Sequence, residues 1–410
     1  MHAALDGCGG TPELDPLAIT TFALLGSFLG EQTPFAAVRF VRPPREPAPA
    51  PFAGDEIEAC DEFVRLVREY VGALKTRPRL HPLSGGRDSR HLLFALDHCG
   101  MRPDACVTLT MHDAEPDWEI SSMVTDALGI AHRRFEKRSS GFAYNLAQPV
   151  ATHLCADEHA WLLPIAETFR TERSVLLDGL LGDVQFNSAG QFPEDLAAIR
   201  RGDHREIALR AMQYFAPASD EAIRGVGALL GVALPPREEV ERLVTAQLDG
   251  LAGEPNMLAQ WWREQRLTRE TALVVHDLYA GIDEVHTPYA SRRIAAFMRS
   301  LPASMTIGRS LHDTAINRGY PQHASIGYTR KGKQPKLARR PLRLESATNF
   351  VQNRLWESRH LSRDERRALA ALRPALGLRR TLWLRDLIIH RRSPDARRHA
   401  AEACRRIVGR

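Results

Sequence analysis

The chain has 410 residues, 44% of them hydrophobic, enough for a sizeable core in one large domain or two ordinary ones, and this excludes wholesale disorder. Lys and Arg number 55 against 50 Asp and Glu, a formal net charge of +5, and much of the excess lies near the C-terminus, for example at Arg379, Arg380, Arg391, Arg392, Arg397 and Arg398. No nucleic-acid module accompanies that charge, so it reads as solvated helix faces and nucleic acid is not expected as a partner. The six cysteines are scattered with no Cys-x-x-Cys pair, which fits reduced thiols in a cytoplasmic protein and gives no structural zinc site.

In chain order, Leu17 to Gly30 is apolar but too short to span a bilayer, and acidic residues precede it, so it reads as buried structure. Pro43-Pro44 and Pro47 to Pro51 form a stiff linker closing residues 1–59. Asp61 to Leu74 has a helical pattern, and Leu80 to Leu83 a short apolar bias in which Pro82 is awkward, because proline removes a ladder donor from a strand. Ser89 to His98 is helical again, with Ser89 as a cap. Residues 105–110 are β-rich. Asp117 reads as an N-cap ahead of Ile120, Met123, Val124, Ala127 and Leu128 on one helical face, with Gly129 as the stop. Ser174 to Leu177 reads as another buried strand. From 190 to 300 the pattern is mainly helical, as in Arg263 to Asp277 and Ala290 to Ser300, and from 336 onward the chain is Arg/Ala/Leu-rich and helical.

Alternating strand and helix signals predict an α/β fold, a parallel sheet with helices on both faces, joined to a mainly helical C-terminal half. Leu83, Leu109 and Leu177 each close a strand just before polar motif residues, so those residues converge on the C-terminal edge of the sheet, where such sheets bind ligands.

The densest motif is Leu83-Ser84-Gly85-Gly86-Arg87-Asp88-Ser89-Arg90. Two glycines at a strand-to-helix turn let backbone N–H groups approach an anion closely. The following helix presents its positive end to the same place. Asp88 adds a carboxylate beside a polyphosphate, which requires a divalent cation between them. The turn differs from a Walker loop, which needs Gly-Lys-Ser/Thr.

This turn resembles the pyrophosphatase loop of the asparagine-synthetase group, within the wider family of ATP pyrophosphatases. The resemblance runs from about residue 22 to about residue 335. Cys106 to Thr110 resembles that family's second strand, and Pro116-Asp117 through Leu128 to His132 its next helix and turn. Leu177-Asp178-Gly179-Leu180-Leu181-Gly182-Asp183 resembles its Gly-Glu-Gly-Gly-Asp-Glu segment. Asp283 to Tyr289, continuing to Leu301-Pro302, resembles its Glu-x-Arg-x-Pro-Phe-Leu-Asp helix. Leu24 to Gly30 and Thr33 to Phe35 are similar to the last segment of a glutaminase domain that is otherwise missing. His2 stands where that domain has its nucleophilic cysteine.

The resemblance implies an adenine nucleotide hydrolase-like fold over 60–335, with 1–59 a remnant of the N-terminal domain and 336–410 a helical extension. It implies an ATP-dependent C–N ligase that adenylates a carboxylate, expels pyrophosphate and transfers the acyl group to an amine, without a glutaminase of its own. Small-molecule or peptide carboxylates and amines are the implied substrates, and a homo-oligomer is left open. Ser84, Gly85, Gly86 and Ser89 would hold pyrophosphate; Leu83, Val107 and Gly179 would border adenosine; Asp88 and Asp183 would hold Mg2+. Lys331, with Lys333 in reserve, would neutralise developing charge.

Two positions depart from the pattern. Leu180 replaces a residue that helps deprotonate the nucleophile, and Val184 replaces a glutamate. The His153, Asp157, Glu158, His159 and Trp161 cluster, at helical spacing, offers Glu158 and His159 as a substitute base. Glu284 and His286 lie where the family shapes its acceptor pocket. A macrolactam cyclase of the lasso-peptide type, a tRNA-modifying enzyme of the same loop class and a non-catalytic nucleotide-binding regulator are the competing expectations; the missing Cys-x-x-Cys counts against the tRNA enzyme.

Overall fold

The computed structural model describes residues 11–42, 44–109, 116–135, 138–156, 160–182, 191–214, 218–308, 310–328 and 344–409. Helix α1 (Pro16–Leu25) opens on Asp15, whose carboxylate accepts from Ala18 N–H, has Pro16 in its first turn and stops at Gly26 in the left-handed conformation. It is apolar all round and buried all round. Phe22 stacks on Trp383 with ring centroids 3.9 Å apart, so the apolar run at 17–30 is buried structure, a core helix to Leu25 followed by the buried Phe28 and Leu29. Residues 44–51 take no helix or strand but are held in place: Arg45 bonds Glu264, and Arg299 donates to the Glu46 carbonyl.

Helix α2 (Glu56–Gly72) starts at a capping box, Asp55 with Glu58. Strand β1 (Leu80–Pro82) follows, then helix α3 (Asp88–His98), β2 (Ala105–Thr108), helix α4 (Pro116–Leu128) and β3 (Ala131–Arg134). These strands form one parallel sheet in the order β1-β2-β3, with Leu80 opposite Ala105 and Ala105 opposite Ala131. Helices α5 (Gly141–Ala151) and α6 (Leu163–Glu172) lead to β4 (Leu176–Leu177), which pairs in parallel with β5 (Val285–His286).

Pro82 explains why the two ladders stay separate. Leu83 N–H donates to Val107 O, so by alternation the N–H positions at 80 and 82 face away from β2, toward the neighbouring β4. Leu80 N–H spends its bond on the Ser174 hydroxyl, and Pro82 has none to give. The proline therefore sits on the edge of its ladder, where a missing donor costs least.

Alternate residues of β2 feed two different cores. Cys106 joins the core of α2, α3 and α4, whereas Ala105 and Val107 join one built from α5, α6 and the last helix (Pro394–Val408). Helices thus cover both faces of the sheet. A third core joins α1, the helices between Asp195 and Trp262, and the C-terminal helices. One of those, Arg363–Arg392, breaks at Gly377, whose φ of 77° no other residue type adopts cheaply. No helix among the described residues is long and apolar enough to cross a membrane.

Two local expectations need correction. The buried face of α4 is Ser121, Val124, Thr125 and Leu128, with Met123 half exposed, so the apolar stripe is rotated by about a residue. α5 ends at Ala151, and His153 and Leu154 have φ of 53° and 58°, so His153 lies beyond the helix; residues 157–159 of the same cluster lie outside the described residues.

Candidate functional site

The glycine turn leaves β1 and enters α3 at the C-terminal edge of the sheet. Its conformation is set from within: Ser84 N–H donates to Ser89 Oγ at 3.0 Å, and Gly86 N–H donates to Ser84 Oγ at 3.2 Å. Ser89 is therefore a brace for the turn and not the cap. The residue before α3 is Arg87, which makes no side-chain cap. Gly85 N–H donates to Asp117 Oδ1 at 3.1 Å, so this amide already receives an anionic oxygen. Asp117 acts across space from α4 and is not the N-cap read from the sequence.

The loop after β4 closes on the same place. A methyl group at Gly179 would lie 2.8 Å from Asp88 Cβ and 3.0 Å from Ser89 N; one at Gly182 would lie 2.6 Å from Asp88 Oδ1 and 2.8 Å from Tyr289 Cε2. Only glycine allows this approach. Asp178 holds the loop by accepting from Leu180 N–H and from the buried Tyr279 hydroxyl. Leu181 has φ of 79°, a left-handed conformation that a leucine adopts only under constraint.

Asp88 is steadied from below. Tyr289 OH donates to its carbonyl, and His312 Nδ1 lies 3.3 Å from Oδ1. Facing a carboxylate favours the proton on His312 Nδ1, which leaves Nε2 to accept from His91 Nδ1 at 3.1 Å. Beside them His81 Nε2 donates to Ser89 O at 2.8 Å. Burial keeps these imidazoles neutral. It pushes His81 down to about 4 and His91 to about 3, and His312 is depressed by burial and by the neighbouring His91 and Arg87.

Two arginines of the motif tie the turn to distant chain. Arg87 makes a forked ion pair with Asp313. Arg90, 1% exposed, donates to the carbonyls of Ile326 and Gly327 and to Gly85 O, and covers the Tyr328 ring at 4.2 Å. Helix Leu311–Gly319 thus supplies both His312 and Asp313.

Of the residues expected from the sequence, Ser84, Gly85, Gly86, Asp88, Ser89 and Gly179 come together. Leu83 and Val107 adjoin them, and Leu83 has both main-chain groups engaged: N–H with Val107 O, and O with the Thr108 hydroxyl. Asp183, Glu158, His159, Lys331 and Lys333 lie outside the described residues, as does Val184. Glu284 and His286 form a 2.7 Å pair, with His286 also bonded to Tyr70, an arrangement that ties β5 to α2. His81, Arg87, Arg90, His91, His312 and Asp313 were missed as a set. The first four stand in or beside the motif, and polar residues on the inner face of α3 were the signal.

No protein-family model matches the chain, and no curated protein matches it. What the described residues establish is an α/β protein with a small parallel sheet and a glycine turn closed against a second turn at its C-terminal edge.

Proposed function

We propose that this chain is an ATP-dependent, AMP-forming amide-bond ligase of the asparagine-synthetase type. The observation that carries this reading is the meeting of the Ser84–Ser89 turn after β1 with the Gly179–Gly182 turn after β4, close enough that Asp88 excludes any side chain at Gly182. The strand arrangement supports it: from β1 the connections run to β2 and β3 on one side, and β4 and β5 lie on the other. Open parallel sheets bind ligands at such a reversal, and an adenine nucleotide hydrolase-like fold has one.

In this reading Ser84, Gly85, Gly86 and Ser89 hold the pyrophosphate end of ATP, and the Gly85 amide, now receiving Asp117, turns to a phosphate oxygen. Asp88, 25% exposed at its side chain, and Asp183, the residue after Gly182, hold Mg2+. Magnesium, when bound, offsets charge on the leaving pyrophosphate. Arg90 fixes the carbonyls of residues 326 and 327, from which Lys331 follows within a few positions to neutralise charge at the reacting centre. Leu180 cannot move a proton, so Glu158 and His159 serve as the base for the amine.

The test is pyrophosphate release from ATP and Mg2+ with a panel of carboxylates and hydroxylamine as the amine. We expect turnover that chelation of Mg2+ abolishes. Asp88→Asn should lower it at least 100-fold, the order expected for removing one charge-stabilising group, with an unchanged melting temperature. ATP binding without turnover on any carboxylate would replace the ligase with a nucleotide-binding regulator.

A further inference from the structure

The charge of this chain is unevenly spread. Residues 329–410 carry 23 Lys and Arg against 7 Asp and Glu, whereas residues 1–328 carry 32 against 43. An acidic body with a basic end is the pattern of a protein that meets a polyanion. The interior does not take up the excess. A cavity of about 1090 Å³ opens at Leu181, beside Gly182 and Asp88, and runs into the helical half between the Pro44 to Pro49 segment and the stretch from Gln260 to His276. Its arginines face acids close by: Arg42 and Arg45 share Glu264, Arg299 is held by Glu254, and Arg263 feels Glu46, Glu254 and Glu264.

The surface differs at the helix Leu344–His360. One side of it is anchored. Trp356 is buried against the Phe142 ring, and Asn349 Oδ1 accepts from Phe142 N–H at 3.2 Å. The other side is bare: Phe350, Val351 and Leu355 are 61%, 52% and 63% exposed. Ten large apolar side chains are exposed among the described residues, and these three fall within six positions of one another. Scattered apolar residues are ordinary on a surface; a cluster is not. At helical spacing the three lie within an arc of about 140°. Arg354 stands among them, its guanidinium 5.4 Å from the centre of the Phe350 ring, and Arg359 follows one turn after Leu355. The one acid between Ala347 and His360 is Glu357, 16% exposed and shared by Arg354 and Arg385.

We propose that this strip seats the protein on an anionic lipid surface, with Phe350, Val351 and Leu355 entering the headgroup layer and Arg354 and Arg359 meeting lipid phosphates. A helix that buries bulky apolar groups at the headgroup boundary, with arginine beside them, lies on a bilayer without crossing it. In the sequence, the fifteen positions just before the helix, 329–343, add seven Lys and Arg and no acid. The apolar residues decide the class of partner. A nucleic acid would take the charge but has nothing to offer Val351 and Leu355. A stable protein interface needs about 800 Å² from each side, far more than three side chains supply. The assignment is independent of the ligase reading.

The test is co-sedimentation of the full chain with vesicles of phosphatidylcholine alone and of equal parts phosphatidylcholine and phosphatidylserine. Wild type should bind the anionic vesicles at least ten-fold more tightly, and added salt should weaken that binding. Phe350→Ser combined with Leu355→Ser should weaken it at least ten-fold and Arg359→Glu several-fold, with melting temperatures unchanged because these side chains are exposed. Ile57→Ser, at an exposed apolar position on α2, should change nothing. A polarity-sensitive fluorophore on Val351→Cys should shift to the blue on anionic vesicles, beyond any shift of the parent chain treated alike. No preference for anionic vesicles, indifference to the serine pair, or a fluorophore that stays in water would each overturn the proposal. So would tighter binding to a DNA duplex than to the vesicles. A dimer in solution that the serine pair dissolves would overturn it too, by giving the strip to a second copy.

Discussion

The corner around Asp88 and the cavity behind it meet at Leu181 and Gly182, yet they are made from different materials. In the corner, backbone meets backbone: two glycines let separate loops touch, and neutral histidines fill the space below with no room to spare. In the cavity, long side chains from several distant segments surround open volume, and most of its charge is carried on flexible arms. Backbone-built geometry is stiff and unforgiving of an added atom. A space walled by side chains can be reshaped by single substitutions while the fold stays intact. A site that must hold one reactive geometry and also choose among substrates gains from having both.

The sharpest way to break this contrast is to add one methyl group in the corner and one at a glycine with open space around it. Gly182→Ala or Gly179→Ala should remove at least 100-fold of turnover and cost about 1–3 kcal/mol by overpacking. Gly253→Ala, which meets nothing within 4 Å, should leave turnover and melting temperature unchanged. Similar losses at all three positions would erase the distinction.

Acid should find the corner next. His81 and His91 ionise near 6.5 when unfolded and near 4 and 3 when folded, so the unfolded chain binds more protons between those values. Stability is therefore flat above pH 6.5 and falls on acidification, by about 2 kcal/mol per ring at pH 5. Urea midpoints at pH 7.5 and 5 check this, and His91→Gln should make the fall shallower.

A somewhat smaller loss is expected from Arg90→Met, which strands three carbonyls and should cost about 3 kcal/mol, against about 0.5 kcal/mol or less for the exposed Arg398→Met, both read from urea denaturation. The smallest effect is a gain. Asp117→Asn weakens the carboxylate's hold on Gly85 N–H, so the KM for ATP should fall a few-fold with kcat unchanged.

How much of this was legible beforehand follows the same division. The turn at 84–89, the strands at 80, 105 and 176, and the two covered faces could be read because local pattern and glycine chemistry specify them. The length of the strands could not: β4 is two residues long, paired with Val285–His286. His312 and Asp313 were invisible, since they reach Asp88 and Arg87 through helix packing across more than 200 residues, and no local pattern encodes such a meeting. Asp117 was read as a cap because its spacing fits one; what it does depends on where α4 lies in space. The cavity left no motif at all, because its lining is gathered from segments between Glu31 and Arg299.

The clasp made by Arg90 with Ile326 and Gly327 joins positions 236 and 237 apart along the chain. Closing so wide a span is slow and cannot begin until residue 327 has left the ribosome. A nascent chain stalled before residue 320 would carry the whole glycine turn and still lack the brace that ties it to the rest of the fold, so the anchored turn should appear only after residue 327 has been made, and nearly all at once.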